Sequence, residues 1–385
     1  MTTNVVDPVG AEGAAIEIAA RSPIELFWRR LKRDKVAIAA LVFIALLLVV
    51  AIFAGPIVKL LGAHAPNEQN SKVLDSFGSA AGPSGDYWFG TDGLGRDVLS
   101  RTLYGARVSI EVAFIATILI VVIGVVLGMF AGYYRGAVDT VLSRTMDVVL
   151  AFPVLLLALG LGVACALQGC IATRSAGRTF AITGLILALI PVMFAAISQM
   201  RGKGGFASVT RGDWLLRIAP GVVVVLIGLG MWLFAGKTST LVQPGLKVVI
   251  FVIVVSTWPY LARIIRGQVL SLREKEFVEA ARSLGASDTR IIFRHILPNL
   301  VAPIIVYTTL LIPTNILFEA ALSFLGIGVQ PPTASWGAML ADATSIFQSA
   351  WWYMTFPGLA LVLTVLAFNL VGDGLQDALN PRTAR

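Results

Sequence analysis

Long apolar runs constrain this chain of 385 residues more than any other feature. Stretches of roughly 20 predominantly apolar residues recur along it, which is the length that an α-helix needs to cross a bilayer. Hydrophobic residues make up 57% of the sequence and charged residues only 14%, whereas a soluble domain carries about a quarter charged residues. The sequence therefore predicts an all-α polytopic membrane protein.

Eight segments are predicted to span the membrane. They lie near 36–54, 109–133, 145–164, 179–199, 216–236, 247–265, 299–318 and 351–371. The predicted organisation is a cytoplasmic tail with an interfacial helix (1–35), a first transmembrane helix (36–61), an extracytoplasmic segment (62–108), the first part of the core (109–165), an insertion (166–246) and the second part of the core (247–381).

Basic residues set the predicted orientation, because Lys and Arg are in excess on the cytoplasmic side of membrane proteins. A basic cluster lies directly before the first span: Arg29, Arg30, Lys32, Arg33 and Lys35. Eight spans then bring both termini, and the basic segments 200–215 and 266–298, to the cytoplasm. The arginines that fall outside are the exceptions to this rule: Arg96, Arg101, Arg107, Arg174 and Arg178.

The net charge of +8 does not favour nucleic-acid binding, because these cations lie mostly between spans. Residues 1–20 lack the basic and apolar regions of a signal peptide, so the N-terminus is expected to be retained. We therefore predict a multi-pass membrane protein with lipid as its surroundings.

Residues 279–299 form a polar stretch between apolar segments. Phe277, Ala281 and Leu284 are spaced to share one face of a helix over 272–284. This predicts a short amphipathic helix at the cytoplasmic surface.

A second short helix is predicted after Gly285, which is a natural helix terminator. Ser287 or Asp288 can cap it. Its apolar residues are Ile291, Ile292 and Ile296. The bent pair of helices is either a docking element for a partner or a solvated connecting loop.

This stretch resembles the EAA loop of ABC-importer permeases. The matching residues are Glu279, Ala280, Ala281, Gly285, Leu297 and Pro298. Other segments resemble the C-type permease subunit of dipeptide, oligopeptide and nickel importers: FGTDGLGRDVLSRTLYGARVSI (89–110), DVVLAFPVLLLAL (147–159), EAALSFLGIGVQPPTASWGAML (319–340) and FPGLALVLTVLAFNLVGDGLQDALNP (356–381). The resemblance covers roughly 22–165 and 247–381.

The resemblance implies a type I importer permease fold with a six-helix family pattern, in a bacterial or archaeal cytoplasmic membrane. It also implies a heterodimer with a second permease subunit, two ABC ATPase subunits, and an extracytoplasmic binding protein that delivers a peptide. ATP and Mg²⁺ would be bound by the ATPases, and this chain would bind no cofactor and perform no covalent chemistry.

The same resemblance assigns a coupling role to the EAA loop, 267–298. Glu279 would be a polar contact to the ATPase, Ala280 and Ala281 would allow close approach, and Gly285, followed by Ala286, would permit the bend. The loop would transmit nucleotide-driven motion to a path with alternating access.

The chain departs from the family pattern at 166–246, where members usually have a short connection. Two predicted spans and a basic loop occupy this insertion. A pair of inserted spans would preserve the topology on both sides. It is either a peripheral, lipid-facing hairpin or a contact for another subunit.

A phosphate-binding loop is not predicted. Gly230 and Gly236, before Lys237 and Thr238, are separated by five residues, whereas the P-loop pattern has four. No strand is predicted before them. An ATPase must therefore come from a partner chain.

Neither a metal site nor a catalytic set is predicted. His64 and His295 are the only histidines, and the predicted topology puts them on opposite sides of the membrane. Cys165 and Cys170 are the only cysteines, and two cysteines make no metal site; they are free or joined by one disulfide.

Gly124, Gly128, Gly132 and Gly136 recur at four-residue spacing in the second predicted span. Such spacing puts small residues on one face of a helix and lets a neighbouring helix approach closely. The face packs either within this chain or against a partner or the pore.

Ionisable residues near span ends are candidates for a translocation path or gate. Glu319 and Asp147 are the main candidates, and Glu111 is a third. Glu319 begins a segment that is expected to turn back into the outer leaflet beside the path. Glu319 either acts at an outer gate or is a satisfied interfacial carboxylate with no role in transport.

The segment GTDGLGRD (90–97) is predicted to form a local polar network. Asp92, Arg96 and Asp97 would hold the outer end of the second span, and direct contact with substrate is the alternative.

Three classes of function compete at this stage. The first is a membrane subunit of an ATP-driven peptide importer, with an importer of nickel or another small solute as its variant. A secondary transporter would show internal repeats and midplane charges, which the sequence does not clearly show. A membrane enzyme would need a catalytic constellation, and none is found.

Overall fold

The computed structural model describes residues 23–76, 78–151, 153–156 and 244–379. The backbone in these ranges is built from helices joined by turns and loops. The helices are α1 (Pro23–Leu31), α2 (Lys35–Ile52), α3 (Ala54–Leu60), α4 (Val98–Tyr133), α5 (Ala137–Ala151), α6 (Pro244–Leu272), α7 (Glu276–Ser283), α8 (Asp288–Phe324), α9 (Trp336–Ala343) and α10 (Trp351–Leu379).

Five of the described helices are long and apolar enough to cross a membrane: α2, α4, α6, α8 and α10. They contain the predicted spans that begin near 36, 109, 247, 299 and 351, so the prediction of an all-helical protein with several spans is confirmed. The number eight stays a prediction, because 179–199 and 216–236 and the second half of 145–164 lie outside the described residues. Cys165, Cys170 and most of the predicted insertion lie outside them as well.

Two predicted boundaries differ from the structure. Helix α4 begins at Val98 rather than near 109, because the Asp97 carboxylate caps it by accepting hydrogen bonds from the backbone N–H groups of Leu99 and Ser100. Helix α5 ends at Ala151, shortly before Pro153, which lacks the backbone N–H group that a helix interior uses.

Close packing joins α4 to α6. A Cβ atom on Gly128 would lie 2.6 Å from the carbonyl oxygen of Ala262, and one on Gly132 would lie 2.7 Å from the Val269 Cβ. Gly124 meets Leu261 in the same way. The glycine face is therefore packed within this chain, and the matching order of contacts shows that α4 and α6 run in parallel.

Gly136 does not belong to this face, so the prediction of four glycines on one helix face was wrong at its last member. Helix α4 ends at Tyr133, and Gly136 has a φ of 81° in the turn before α5. A left-handed conformation is accessible to glycine at little cost, and here it reverses the chain.

Contacts between distant residues give the directions of the other long helices. Ser109 meets Glu319, and Asn315 donates to the Thr117 hydroxyl at 2.8 Å, so α8 runs antiparallel to α4. Helix α10 begins near Thr91, to which Trp352 donates through Nε1. It ends in a small apolar cluster with α1 and α2, formed by Phe27, Leu31, Ala37 and Ala378.

These directions divide the molecule into two ends. The end that holds α1, α7 and the end of α10 is termed the coupling end. The opposite end, which holds the loop before α4 together with α9, is termed the outer end.

Candidate coupling site

Helix α7 ends in a tight turn at Gly285. The backbone N–H of Ala286 donates to the Ala281 carbonyl at 3.0 Å, and that of Gly285 donates to the Arg282 carbonyl at 3.0 Å. Gly285 has a φ of 78°. This pairing satisfies carbonyls that the helix end leaves free, and the turn requires a residue that accepts positive φ.

The buried face of α7 differs from the predicted one. Val278 and Ala281 are buried, whereas Phe277 is 41% exposed and Leu284 is 88% exposed. The prediction that Phe277, Ala281 and Leu284 share the apolar face was therefore wrong. The helix spans only Glu276–Ser283, and its buried side is centred on Val278 and Ala281. Leu284 follows the last helical residue and so lies outside this buried side.

Helix α7 presents its other side to the surroundings. Glu279 and Ala280 are exposed, as is Gly285, while Ala286 is half-buried. Within the predicted coupling set, the structure thus leaves Glu279 and Ala280 accessible to a partner and turns Ala281 into the core of this chain.

Helix α8 begins after Ser287, whose side chain makes no capping hydrogen bond. Asp288 accepts a hydrogen bond from the Tyr133 hydroxyl at 2.6 Å instead. Ile291, Ile292 and Ile296 are buried beneath α7. The second predicted helix exists, but it continues into the long helix α8 through a π-helical stretch at Ile291–Ile296.

Ion pairs join α5 to α6. Asp147 pairs with Arg263 and lies 3.7 Å from Arg144, and these side chains are about half exposed or more. Asp147 is thus accessible from outside this chain. Its two cationic partners are separated from it by 116 and 3 residues, so only the second could have been found from local sequence.

A more enclosed pair was not predicted. Arg266 donates from Nε to Asp139 Oδ1 at 2.6 Å and from Nη2 to Oδ2 at 2.9 Å. The hydrogen bond from Arg266 lowers the pKa of the Asp139 carboxyl from its ordinary value. The signal in the sequence was the acidic residue in the first turn of α5, where the helix dipole favours it.

Glu319 lies inside the protein at the outer end. It is 0% exposed and accepts hydrogen bonds from the hydroxyls of Ser109 and Ser323, each at 2.7 Å. The Ser323 hydroxyl accepts in turn from the backbone N–H of Val329 at 3.1 Å. Helix α8 continues through Glu319 to Phe324, and the chain then turns at Gly326, which has a φ of 78°. Helix α9 packs back against α8, with Gly337 next to the backbone of Ala320. The turn therefore lies within the segment that Glu319 begins, several residues after Glu319 itself.

A buried polar cluster surrounds the start of α4. Arg96 donates from Nε to Asp92 at 2.6 Å, and Asp97 accepts from the backbone N–H of His64 at 3.1 Å. Arg101, which is 2% exposed, donates to the Pro66 carbonyl at 3.1 Å. The structure brings Asp92, Arg96 and Asp97 together, and sequence reasoning missed Arg101 as the fourth member.

Comparison with known proteins identifies the family. Residues 124–385 match the family described as the inner membrane component of binding-protein-dependent transport systems. The chain belongs to this family. Residues 22–79 of this permease also match the N-terminal transmembrane domain of oligopeptide transport permease C.

Curated relatives resemble this permease over almost its whole length. A dipeptide transport system permease protein of Alkalihalophilus pseudofirmus is 34% identical over 366 residues, which cover 95% of this chain and 92% of the relative. A glutathione transport system permease protein of Escherichia coli is 37% identical over 363 residues, covering 94% and 91%. The corresponding protein of Pectobacterium atrosepticum is 35% identical over 362 residues, covering 94% and 92%.

The geometry fits a transport subunit. The coupling end offers an exposed short helix on a buried base, and the outer end is held by enclosed carboxylates and arginines. Within the part of the chain that the structure describes, no group of three His, Cys, Asp or Glu residues could hold a metal ion. This permease is a multi-pass protein of the inner membrane.

Proposed function

We propose that this permease carries peptides into the cell as the membrane subunit of an ABC importer. The observation that carries the proposal is α7, an exposed helix whose buried face is fixed to the membrane helices. The substrate class rests on the relatives, which are named as dipeptide and glutathione permeases. Those names do not favour the alternative of nickel or another small solute.

The energy comes from two partner ATPases that bind ATP and Mg²⁺, and this chain binds neither. The exposed residues Glu279, Ala280, Phe277 and Leu284 form the ATPase contact. Aromatic residues such as Phe277 are enriched at protein interfaces. An apolar side chain as exposed as Leu284 has most of its surface available for burial against a partner. Gly285 sets the angle at which α7 is presented.

The coupling end is cytoplasmic in this proposal, and the outer end receives peptide from an extracytoplasmic binding protein. Both termini are then cytoplasmic. A second, different permease subunit completes the path. The predicted spans at 145–164, 179–199 and 216–236 bring the total to eight and leave α4 and α6 parallel.

Purification of the tagged chain from its own host tests the assembly. A second permease and two ATPases should co-purify, and reconstituted vesicles should import peptide only with ATP and the binding protein. Full transport by this chain without an ATPase would overturn the proposal and would favour a secondary transporter.

Two variants test the role of α7 in that reconstituted system. Glu279→Lys reverses a charge on the exposed face, and Gly285→Pro forces φ to about −65° where the turn needs a positive value. Both should uncouple ATP hydrolysis from uptake while the protein remains inserted. Normal stimulated hydrolysis and normal uptake in both variants would show that α7 is not the coupling element.

Glu319 is proposed to act at the outer gate by holding the turn after α8, since its burial excludes direct contact with substrate in this conformation. Glu319→Gln keeps the shape but loses one acceptor for the Ser109 and Ser323 hydroxyls. Uptake should fall. Transport at the wild-type rate would remove the gate role.

A further inference from the structure

The C-terminal end of α4 contacts the segments that flank α7 on both sides. Arg273, between α6 and α7, donates from Nη1 to the carbonyl oxygens of Gly132 at 2.9 Å and Tyr133 at 3.3 Å. Asp288, just after the turn that follows α7, accepts from the Tyr133 hydroxyl at 2.6 Å. Arg282 on α7 interacts with the same hydroxyl.

These contacts are enclosed and chemically matched. The Arg273 side chain is 11% exposed and Tyr133 is 8% exposed. The last carbonyl groups of an α-helix lack partners within the helix, and a cation there is favoured by the helix dipole. Hydrogen bonds to a charged group, such as the Asp288 carboxylate, are about twice as strong as neutral ones.

Helix α4 leads directly from this contact to the outer end. It has 36 residues, which correspond to about 54 Å at 1.5 Å per residue. Near its other end, Ser109 donates to Glu319 and the Thr102 carbonyl accepts from Trp336 Nε1 at 3.0 Å. One helix therefore touches the connections of α7 at one end and the outer gate region at the other.

We propose that Tyr133 and Arg273 are positioning residues that transmit displacement of α7 to α4. A shift of α7 pulls on Asp288 and Arg273, both of which are hydrogen-bonded to the last turn of α4. Helix α4 then moves as a rod and carries the Ser109 and Thr102 contacts with it. The proposal rests on the proposed function, because it takes α7 to be the ATPase contact.

The test is Tyr133→Phe in the complete transporter, reconstituted with its partner permease, ATPases and binding protein. The change removes the hydroxyl and keeps the buried ring. ATP hydrolysis should persist, while peptide uptake per ATP hydrolysed should fall at least about fivefold, the low end of typical coupling between sites. A loss of stability alone would reduce hydrolysis and uptake together and leave their ratio unchanged.

Further variants separate the contact from general damage. Asp288→Asn replaces the carboxylate acceptor by a neutral amide oxygen and should lower the ratio by weakening the hydrogen bond. Combining it with Tyr133→Phe should add little, because both changes act on the same hydrogen bond. Arg273→Gln should also lower the ratio. Arg135→Gln is the matched control, because Arg135 lies in the same turn region and pairs with Glu274 beside Arg273, but the side chains of Arg135 and Glu274 are exposed, at 74% and 65%. Exposed pairs contribute only about 0–1 kcal/mol, so the ratio of this variant should stay at the wild-type value.

The outcomes distinguish this proposal from the one beneath it. Suppose that Glu279→Lys is uncoupled but Tyr133→Phe and Asp288→Asn keep the wild-type ratio of uptake to hydrolysis. That result overturns the link through Tyr133 and leaves the coupling role of α7 intact. Fully additive losses in the double variant would also overturn it. Normal coupling in Glu279→Lys and Gly285→Pro counts against the coupling role of α7 itself.

Discussion

Asp139 and Arg266 form a bidentate ion pair that ties α5 to α6 near the coupling end. Their side chains are 27% and 31% exposed. A paired carboxylate in a partly enclosed site stabilises the folded protein more than an exposed pair does, because water screens it less. The pair therefore contributes to the packing of two helices that are distant in sequence.

The Asp139 pair makes stability depend on pH in a defined direction. Because the folded-state pKa of Asp139 is lowered, its contribution is complete above the unfolded value of about 3.9 and is lost as pH falls through the folded value. The melting temperature of the detergent-solubilised protein should exceed that of Asp139→Asn by a constant amount from pH 7 to about pH 4. Below that the difference should shrink.

The control for this prediction is Glu274→Gln. Glu274 is 65% exposed and pairs with Arg135, which is 74% exposed. Exposed pairs contribute about 0–1 kcal/mol, so this variant should melt close to wild type at every pH. A wild-type advantage over Asp139→Asn that grows on acidification would contradict a lowered pKa for Asp139 in the folded protein.

At the scale of elements, the α4–α6 pair is the axis of the membrane core. The glycines on α4 let α6 approach so closely that its side chains and carbonyl groups would clash with, or press tightly against, a Cβ atom at these positions. Without a hydrophobic driving force between helices in lipid, such close packing is a main source of their association. The parallel direction of the two helices places α7 next to the end of α4.

Gly128→Ala should separate this pair. The added Cβ would lie 2.6 Å from the Ala262 carbonyl oxygen, and backbone cannot move aside cheaply. We expect a loss of about 1–3 kcal/mol, typical of overpacking, measured as reduced resistance to thermal unfolding in detergent.

Gly267→Ala is the matched control, because a Cβ on Gly267 in α6 would meet nothing within 4 Å. Alanine is a better helix former by up to about 1 kcal/mol, so this variant should be as stable as wild type or more so. Equal stability of the two alanine variants would mean that the glycine face is not a tight contact.

At the scale of the molecule, α4, α5 and α6 pack together through described residues on both sides of the insertion. Gly128 meets Ala262 and Asp139 meets Arg266 without help from 166–246. The segments before and after the predicted insertion therefore contact each other directly.

Deletion of residues 170–243 should leave a foldable core. The shortened protein should insert, and it should elute in detergent as a single species with a helical circular dichroism spectrum. If the shortened protein failed completely to enter the membrane or to assemble, the deleted segment would be part of the fold rather than a peripheral addition.

Much of this architecture was predictable because apolar length and charge are local properties. Runs of about 20 apolar residues predicted α2, α4, α6, α8 and α10, since a bilayer demands that length. Gly285 was predicted as a helix terminator because positive φ is a property of single residues. The boundary of α4 was missed because its capping residue, Asp97, lies in a polar segment read as a loop.

The sequence by itself determined that this is a helical membrane protein of a transport family, and which segment is polar enough to meet a partner. Only the tertiary structure decided what faces inward. It buried Ala281 and Glu319, exposed Leu284, and joined Tyr133 to Asp288 across 155 residues. Periodicity fixes spacing along a helix, but the rotation of a short helix and the partners of a buried charge depend on distant residues. In this protein, the packing of α4 against α6 and α8 brings those distant residues together.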